Sequence, residues 1–182
     1  MGSDEKAIPT VRVKKVCNRA EIHGYKHDGD ICFDLGVLID DGVNAPMLVE
    51  GGEFNATELE SSKEQYGKFA VRIGPHESVL LHTGLTFQPD EGYGIKVHVR
   101  SSTGIKKGLI LSNSTGIIDS GYRGEVMVCL YNTSPTYSVL VTDGERVAQC
   151  EVVPVIQSSI VEVDKLDDTD RGAGGFGSTG GH

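Results

Sequence analysis

The first clear pattern in the chain is Val11-Arg-Val-Lys-Lys-Val16, which alternates apolar and basic side chains as a half-exposed strand does. Ile31-Cys-Phe-Asp-Leu35 is an apolar run with one carboxylate inside it. From Phe69 onward strand-like runs recur at short intervals: residues 69–73, 78–82, 84–87 and 94–99, with Gly74-Pro75 and Pro89-Asp90-Glu91-Gly92 between them. Residues 108–111, 126–131, 136–142 and 147–156 continue the series, and Ile160-Val-Glu-Val-Asp164 predicts a last short strand. Short strands separated by turn residues predict an all-β sandwich or barrel and not β-α-β units.

Two stretches break this rhythm. Between about residues 40 and 68, Gly42, Gly51 and Gly52 interrupt the pattern, and Ala56-Thr-Glu-Leu-Glu-Ser-Ser-Lys-Glu-Gln65 is the only helix-like segment. We read this as an insertion whose acidity is a solvated face. Loop insertions are cheaply tolerated, so an inert excursion explains it; a surface for a protein partner or a subunit edge is the alternative. The second stretch is the tail, Thr169-Asp-Arg-Gly-Ala-Gly-Gly-Phe-Gly-Ser-Thr-Gly-Gly-His182, which has too little apolar surface to fold alone. The expected organisation is one β domain over residues 1–168 and a flexible Gly-rich tail over 169–182.

The 182 residues carry 17 Lys and Arg against 26 Asp and Glu, a net charge of −9. A nucleic-acid polymer is therefore not the expected partner, because polymer binding rests on a basic surface. A single nucleotide remains open, since one or two Arg, backbone N–H groups and a metal can meet its charge. The four cysteines form no C-x-x-C pair, and a reduced, intracellular, cytoplasmic protein is expected (host cytoplasm if the source is viral). No apolar run approaches membrane-spanning length, so no membrane is expected.

Three segments carry candidate chemistry. Asn113-Ser-Thr-Gly-Ile-Ile-Asp-Ser-Gly-Tyr-Arg-Gly-Glu125 lies between two strand-like runs and reads as a hairpin. It either presents backbone groups, a carboxylate and a ring to a small flat ligand, or is a surface hairpin with an Asx turn. Arg100-Ser-Ser-Thr-Gly-Ile-Lys-Lys107 ends a strand and enters a short, helix-like turn; it is an anion site or a Ser N-cap beside a surface Arg. In the tail, glycines let N–H groups approach phosphates, Arg171 adds charge and Phe176 offers a flat face; a terminal linker is the alternative. Asp34, between Phe33 and Leu35, needs a partner or a site unless it ends a strand facing solvent. His23 and His27 have no third ligand at suitable spacing and read as solvated loop residues.

Five islands stand in order: residues 30–35, 100–108, 113–125, 144–149 (Gly-Glu-Arg-Val-Ala-Gln) and 171–180. This order resembles the five motifs of the trimeric all-β dUTPase family (deoxyuridine 5′-triphosphate nucleotidohydrolase). The resemblance covers nearly the whole chain apart from the insertion, and the third and fifth motifs are its most specific parts. It implies a jelly-roll-like β fold, a homotrimer with active sites at subunit interfaces, and Mg²⁺-assisted hydrolysis of dUTP to dUMP and pyrophosphate. Asp119 would activate the water that attacks the α-phosphorus, and Gln149 would support it. Asn113 and the backbone of Gly116, Ile117 and Ile118 would read uracil, with Tyr122 under the deoxyribose. Asp34 would contact Mg²⁺ through water. Arg100, Ser101 and Ser102 would hold phosphates. In the tail, Arg171, Ser178 and Thr179 would grip the γ end, Phe176 would stack on uracil and Gly177 would let the backbone approach. The chain departs from the family pattern at Ile31-Cys32, where a small pair usually precedes the aromatic.

Two rivals are weighed. A dCTP deaminase has a related fold but needs a catalytic Glu in the strand after the hairpin, where this chain has Cys129. The second is a nucleotide-responsive regulatory or binding protein on the same scaffold: the intact Asp119 argues against a dead enzyme, and dUTP turnover alone does not exclude a second role, for which the insertion is the place to look.

Overall fold

The computed structural model describes residues 8–50, 53–56, 67–170 and 172–173. These fold into antiparallel strands: β1 (Val11–Lys15), β2 (Cys32–Gly36), β3 (Met47–Glu50), β4 (Glu53–Ala56), β5 (Ala70–Ile73), β6 (Ser78–Leu81) and β7 (Leu85–Pro89), then β8 (Tyr93–Val99), β9 (Leu109–Leu111), β10 (Gly116–Ile118), β11 (Val128–Asn132), β12 (Val139–Thr142) and β13 (Arg146–Pro154). A five-stranded sheet has the order β4-β3-β6-β11-β9, and a four-stranded sheet the order β10-β8-β13-β2. The pairs β1-β7 and β12-β5 complete the architecture.

Alternation explains which face each strand buries. In β7, Leu85 and Phe87 are buried while Gln88 is exposed, and in β11 Val128 and Leu130 point inward. One apolar cluster unites the sheets, drawing Leu35 from β2, Val79 and Leu81 from β6, Ile95 from β8, Leu130 from β11 and Val147 from β13. Each such fully buried side chain contributes about 1.5–3 kcal/mol. Asn132 is buried at the end of β11, where its amide donates to the carbonyls of Ile73, Gly74 and Tyr137 and its oxygen accepts from Ser134.

The strand rhythm and all-β class read from the sequence hold, and the short helix falls where expected, as a single π-helical turn at Ser102–Lys106. Ser101 makes no side-chain capping bond there, so the N-cap alternative fails. Three other readings change. Residues 160–164 form no strand: Ile160, Val161 and Val163 are exposed, with no neighbouring strand to satisfy their backbone. The supposed insertion contributes β3 and β4, a hairpin whose β3 pairs with β6, so this part belongs to the five-stranded sheet. Four-residue strands are too short to show a period. Ala56 ends β4, and most of the helix-like segment lies outside the described residues. Finally, β9 and β11 do pair, but the segment between them is more than a turn: β10 crosses to the other sheet and pairs with β8.

Candidate active site

The register of three strands builds a charged cluster. Asp34 on β2 lies opposite Gln149 on β13, and Gln149 lies opposite His98 on β8. Gly36, on the same face of β2 as Asp34, lies opposite Arg146. Residues 146 and 149 are three apart and would face opposite ways in a regular strand. A register shift between Arg146 and Ala148 corrects this and turns Arg146 toward Asp34, as bulges do.

Asp34 is clamped from two sides. Arg146 NH1 donates to Oδ2 at 2.9 Å, and Arg100 Nε stands 2.7 Å from Oδ1. Arg100 is itself fixed: its backbone N–H donates to the Val147 carbonyl, and its NH1 to the Arg146 carbonyl at 3.0 Å. Gln149 Nε2 donates to the Val99 carbonyl at 3.4 Å. Ser101 and Ser102 follow Arg100 directly into the helical turn, where the Gly104 N–H returns to the Arg100 carbonyl. An open cavity of about 810 Å³ is lined by Asp34, Arg100, Arg146 and Gln149, with Lys26 and His23 on its loop wall. Two guanidinium groups against one carboxylate leave excess positive charge, which suits a phosphate chain.

A second cluster forms around β10. Gly116 lies opposite Val97, and an added Cβ there would stand 3.0 Å from Val97 Cβ, so only glycine lets the strands approach without displacing a neighbour. Ile117 is exposed and Asp119 follows Ile118 into solvent. The Tyr122 N–H donates to the Asp119 carbonyl and the Tyr122 hydroxyl to the Glu125 carbonyl, both at 3.0 Å. Ile117, Ile118, Asp119, Tyr122 and Glu125 line a cavity of about 290 Å³. Asn113 sits nearby at an exposed turn closed through Ser114, which adopts φ 59°.

The two clusters are separated within one chain. Asp119 follows Ile118, which faces Ile95, whereas Gln149 and Asp34 are level with His98. That is at least three residues along β8, about 10 Å, and Asp34 lies three strands across from β10, a further ~14 Å. One copy therefore does not bring Gln149 to Asp119. Arg146 is the residue that sequence reasoning missed: it stood within the island at 144–149, but its role appears only through the bulge.

The donor set for a metal is sparse. Among the described residues no three His, Cys, Asp or Glu side chains gather as ligands. His23 Nε2 stands 3.7 Å from a Glu21 carboxylate oxygen. Both Asp34 oxygens are engaged by guanidinium groups, yet each keeps a lone pair for a bound water. This fits Mg²⁺ held mainly by substrate phosphates with Asp34 as an outer contact, and does not fit a protein cage. Arg171, Phe176, Gly177, Ser178 and Thr179 lie outside the described residues.

Cys129, where a deaminase needs its Glu, is half-buried and donates to Ser112 Oγ at 3.3 Å. The departure at Ile31-Cys32 leaves the aromatic in place: Phe33 packs against Phe87 and Tyr25, with ring centroids 5.8 Å apart in both cases.

Comparison with known proteins agrees with this geometry. The dUTPase family model matches residues 66–180. The deoxyuridine 5′-triphosphate nucleotidohydrolase of Thermobifida fusca is 45% identical over 112 residues, 62% of this chain and 63% of that protein, so the match spans just under two thirds of its length. The corresponding protein of Nautilia profundicola is 46% identical over 110 residues, covering 60% and 77% of the two chains. Among solved structures, a single-substitution mutant of the Staphylococcus bacteriophage 80alpha dUTPase with dUpNHpp superposes with a TM-score of 0.68 at 21% identity, covering 94% of this chain and 98% of that one. A single-substitution mutant of the dUTPase of phage phi11 of S. aureus, in which a structural Mg(II) ion is coordinated, gives 0.64 at 18% identity and covers 87% and 99%. The fold is the jelly-roll-like β fold of these neighbours. The chain belongs to the dUTPase family.

Proposed function

We propose that the chain hydrolyses dUTP to dUMP and pyrophosphate, as a homotrimer in which each site joins the Asp119 cluster of one copy to the Asp34 cluster of another. The observation that carries this reading is the split itself. A carboxylate that activates water must stand within hydrogen-bond reach of it, and the phosphate-binding guanidinium groups lie too far away in the same chain.

In the assembled site Asp119 takes the proton of the water attacking the α-phosphorus, and Gln149 from a second copy supports that water. Asn113 and the backbone of Gly116, Ile117 and Ile118 pair with the uracil edge, while Tyr122 lies under the deoxyribose. Arg100, Arg146, Ser101 and Ser102 meet the charge that develops on the phosphates, as preplaced donors do in phosphoryl transfer. Asp34 orients both guanidinium groups and holds a water of the metal. When bound, Mg²⁺ neutralises phosphate charge. The tail residues Arg171, Phe176, Gly177, Ser178 and Thr179 close over the nucleotide, with Phe176 on the base. Cytosine reverses donor and acceptor at two positions, and leaving such groups unpaired rejects dCTP by roughly 10⁴-fold. Cysteine usage supports an intracellular location; no helix of the described residues is long and apolar enough to cross a membrane.

Pyrophosphate release from dUTP, beside dCTP, tests this. Asp119→Asn keeps the shape and removes the base, and is expected to lower turnover at least about 10²-fold with nucleotide binding retained. Ammonia release from dCTP, or an unimpaired Asp119→Asn variant, would contradict it.

A further inference from the structure

The cavity around Asp119 contains a second carboxylate, Glu125, that the reaction does not use. Its surroundings are unusual for a group so close to a reacting centre. Oε1 accepts from the backbone N–H of Thr83 at 3.0 Å and of Gly84 at 2.6 Å, and Oε2 stands 2.9 Å from His82 Nδ1. A carboxylate only accepts, so Nδ1 carries the proton in this contact. Both side chains are largely buried, 20% exposed for Glu125 and 16% for His82.

The Thr83–Gly84 turn is built to receive an anion. Gly84 has φ 68°, and a Cβ there would meet Leu38 Cδ1 at 2.6 Å and Ala20 Cβ at 2.8 Å, so no other residue fits. The turn aims two successive N–H groups at one point, a nest for an anion. Here the protein fills the nest with its own side chain. Two further bonds sit beside it: the Thr83 hydroxyl donates to the Val126 carbonyl at 2.5 Å, and the Val126 N–H to the Leu85 carbonyl at 2.9 Å.

The loop between Asp119 and Gly124 is braced internally. Arg123 NH1 donates to the carbonyls of Ser120 and Tyr122, and Tyr122 bonds to Asp119 and Glu125 as described. Such a loop moves as one piece, and its orientation is set where it joins the sheets. Upstream that join is β10 on β8; downstream it is Glu125 and Val126 on residues 82–85.

We infer that Glu125 is a positioning residue: seated on the Thr83–Gly84 amides and His82, it aims Asp119 and Tyr122 at the substrate. This rests on the reading of Asp119 as the base. With three donors on its oxygens, Glu125 is also kept from competing with Asp119 for the attacking water.

The experiment uses the full chain with Glu125→Ala, Glu125→Asp and Glu125→Gln, reading dUTP turnover and amide hydrogen exchange in residues 119–124. Glu125→Gln keeps an oxygen at the two amides, while its NH2 can donate to His82 Nδ1 once the neutral imidazole takes its other tautomer, and should retain turnover within about threefold. Glu125→Asp keeps the charge but withdraws it by one methylene, and should behave as Glu125→Ala. For both, misplacement of this size predicts a turnover loss of about 10²-fold with faster loop exchange. If Glu125→Ala does not fold, the contrast between Asp and Gln decides. Wild-type exchange and turnover in a folded Glu125→Asp variant would overturn the inference, as would Glu125→Gln failing alongside it. Should the wild type release no pyrophosphate from dUTP, the functional reading fails instead, and loop exchange still decides whether Glu125 anchors the loop.

Discussion

Asp34 and Arg100 form an ion pair with Nε 2.7 Å from Oδ1, and Arg146 approaches the other oxygen at 2.9 Å. One carboxylate thus sets the orientation of two cationic side chains, one on β13 and one just past the end of β8. Replacing it should disturb the metal contact before it disturbs the fold. Asp34→Asn is expected to raise the Mg²⁺ concentration needed for half-maximal pyrophosphate release by about 10- to 100-fold, the usual effect of losing an outer-shell partner. Unchanged Mg²⁺ dependence would remove Asp34 from the metal's surroundings.

Gly124 leaves room for the Tyr122 ring. An added Cβ would stand 2.6 Å from Tyr122 Cζ, and a ring held by its hydroxyl on Glu125 has no free direction in which to retreat. Gly124→Ala should displace the ring from the sugar position and lower kcat/KM for dUTP by about 10-fold or more. Titration with dUpNHpp checks whether the loss lies in binding.

Gly116→Ala acts on stability as well as on the strand that carries the base-reading backbone. The new Cβ would press on Val97 at 3.0 Å, between two backbones already paired, and overpacking of this kind costs about 1–3 kcal/mol. A lowered urea midpoint with an unchanged slope is the expected result.

Acid stability should depend on Asp40. Burial acts to raise its carboxyl, but hydrogen bonds from the Asn44 side chain and backbone, the Gly42 amide and the Arg19 guanidinium outweigh it and hold the group at about 2, below its ordinary 3.8. Arg19 also bonds Asp143 at 2.8 Å, so the cluster ties two distant loops. A depressed folded pKa contributes stability that is fully present above about 3.8 and is lost as pH falls toward about 2. Between those values, urea midpoints of the wild type should fall more steeply than those of Asp40→Asn, which has no proton to take up.

Much of this was legible in residue order. Alternation marked β7, β8, β11 and β13, because a period of two is imposed by burying one face. The same rule misled at 160–164, where the pattern is present but no strand among the described residues pairs with it. It was silent at β3 and β4, which are too short to show a period. Within the site, Asp119, Tyr122 and Asp34 could be named from their islands. Arg146 could not, because its direction depends on the bulge between it and Ala148. The resemblance implied sites shared between subunits, but the separation of Asp119 from Gln149 within one chain follows from β10 leaving its hairpin for the other sheet.

Subunit mixing tests that separation most directly. Asp119→Asn and Gln149→Ala damage different clusters, so each variant alone should be inactive. Co-refolded in equal amounts, random assembly leaves about a quarter of shared sites with both clusters intact, and that share of wild-type turnover should return. If each site were built within one chain, every site would carry a lesion; a mixture as inactive as its components would contradict the account.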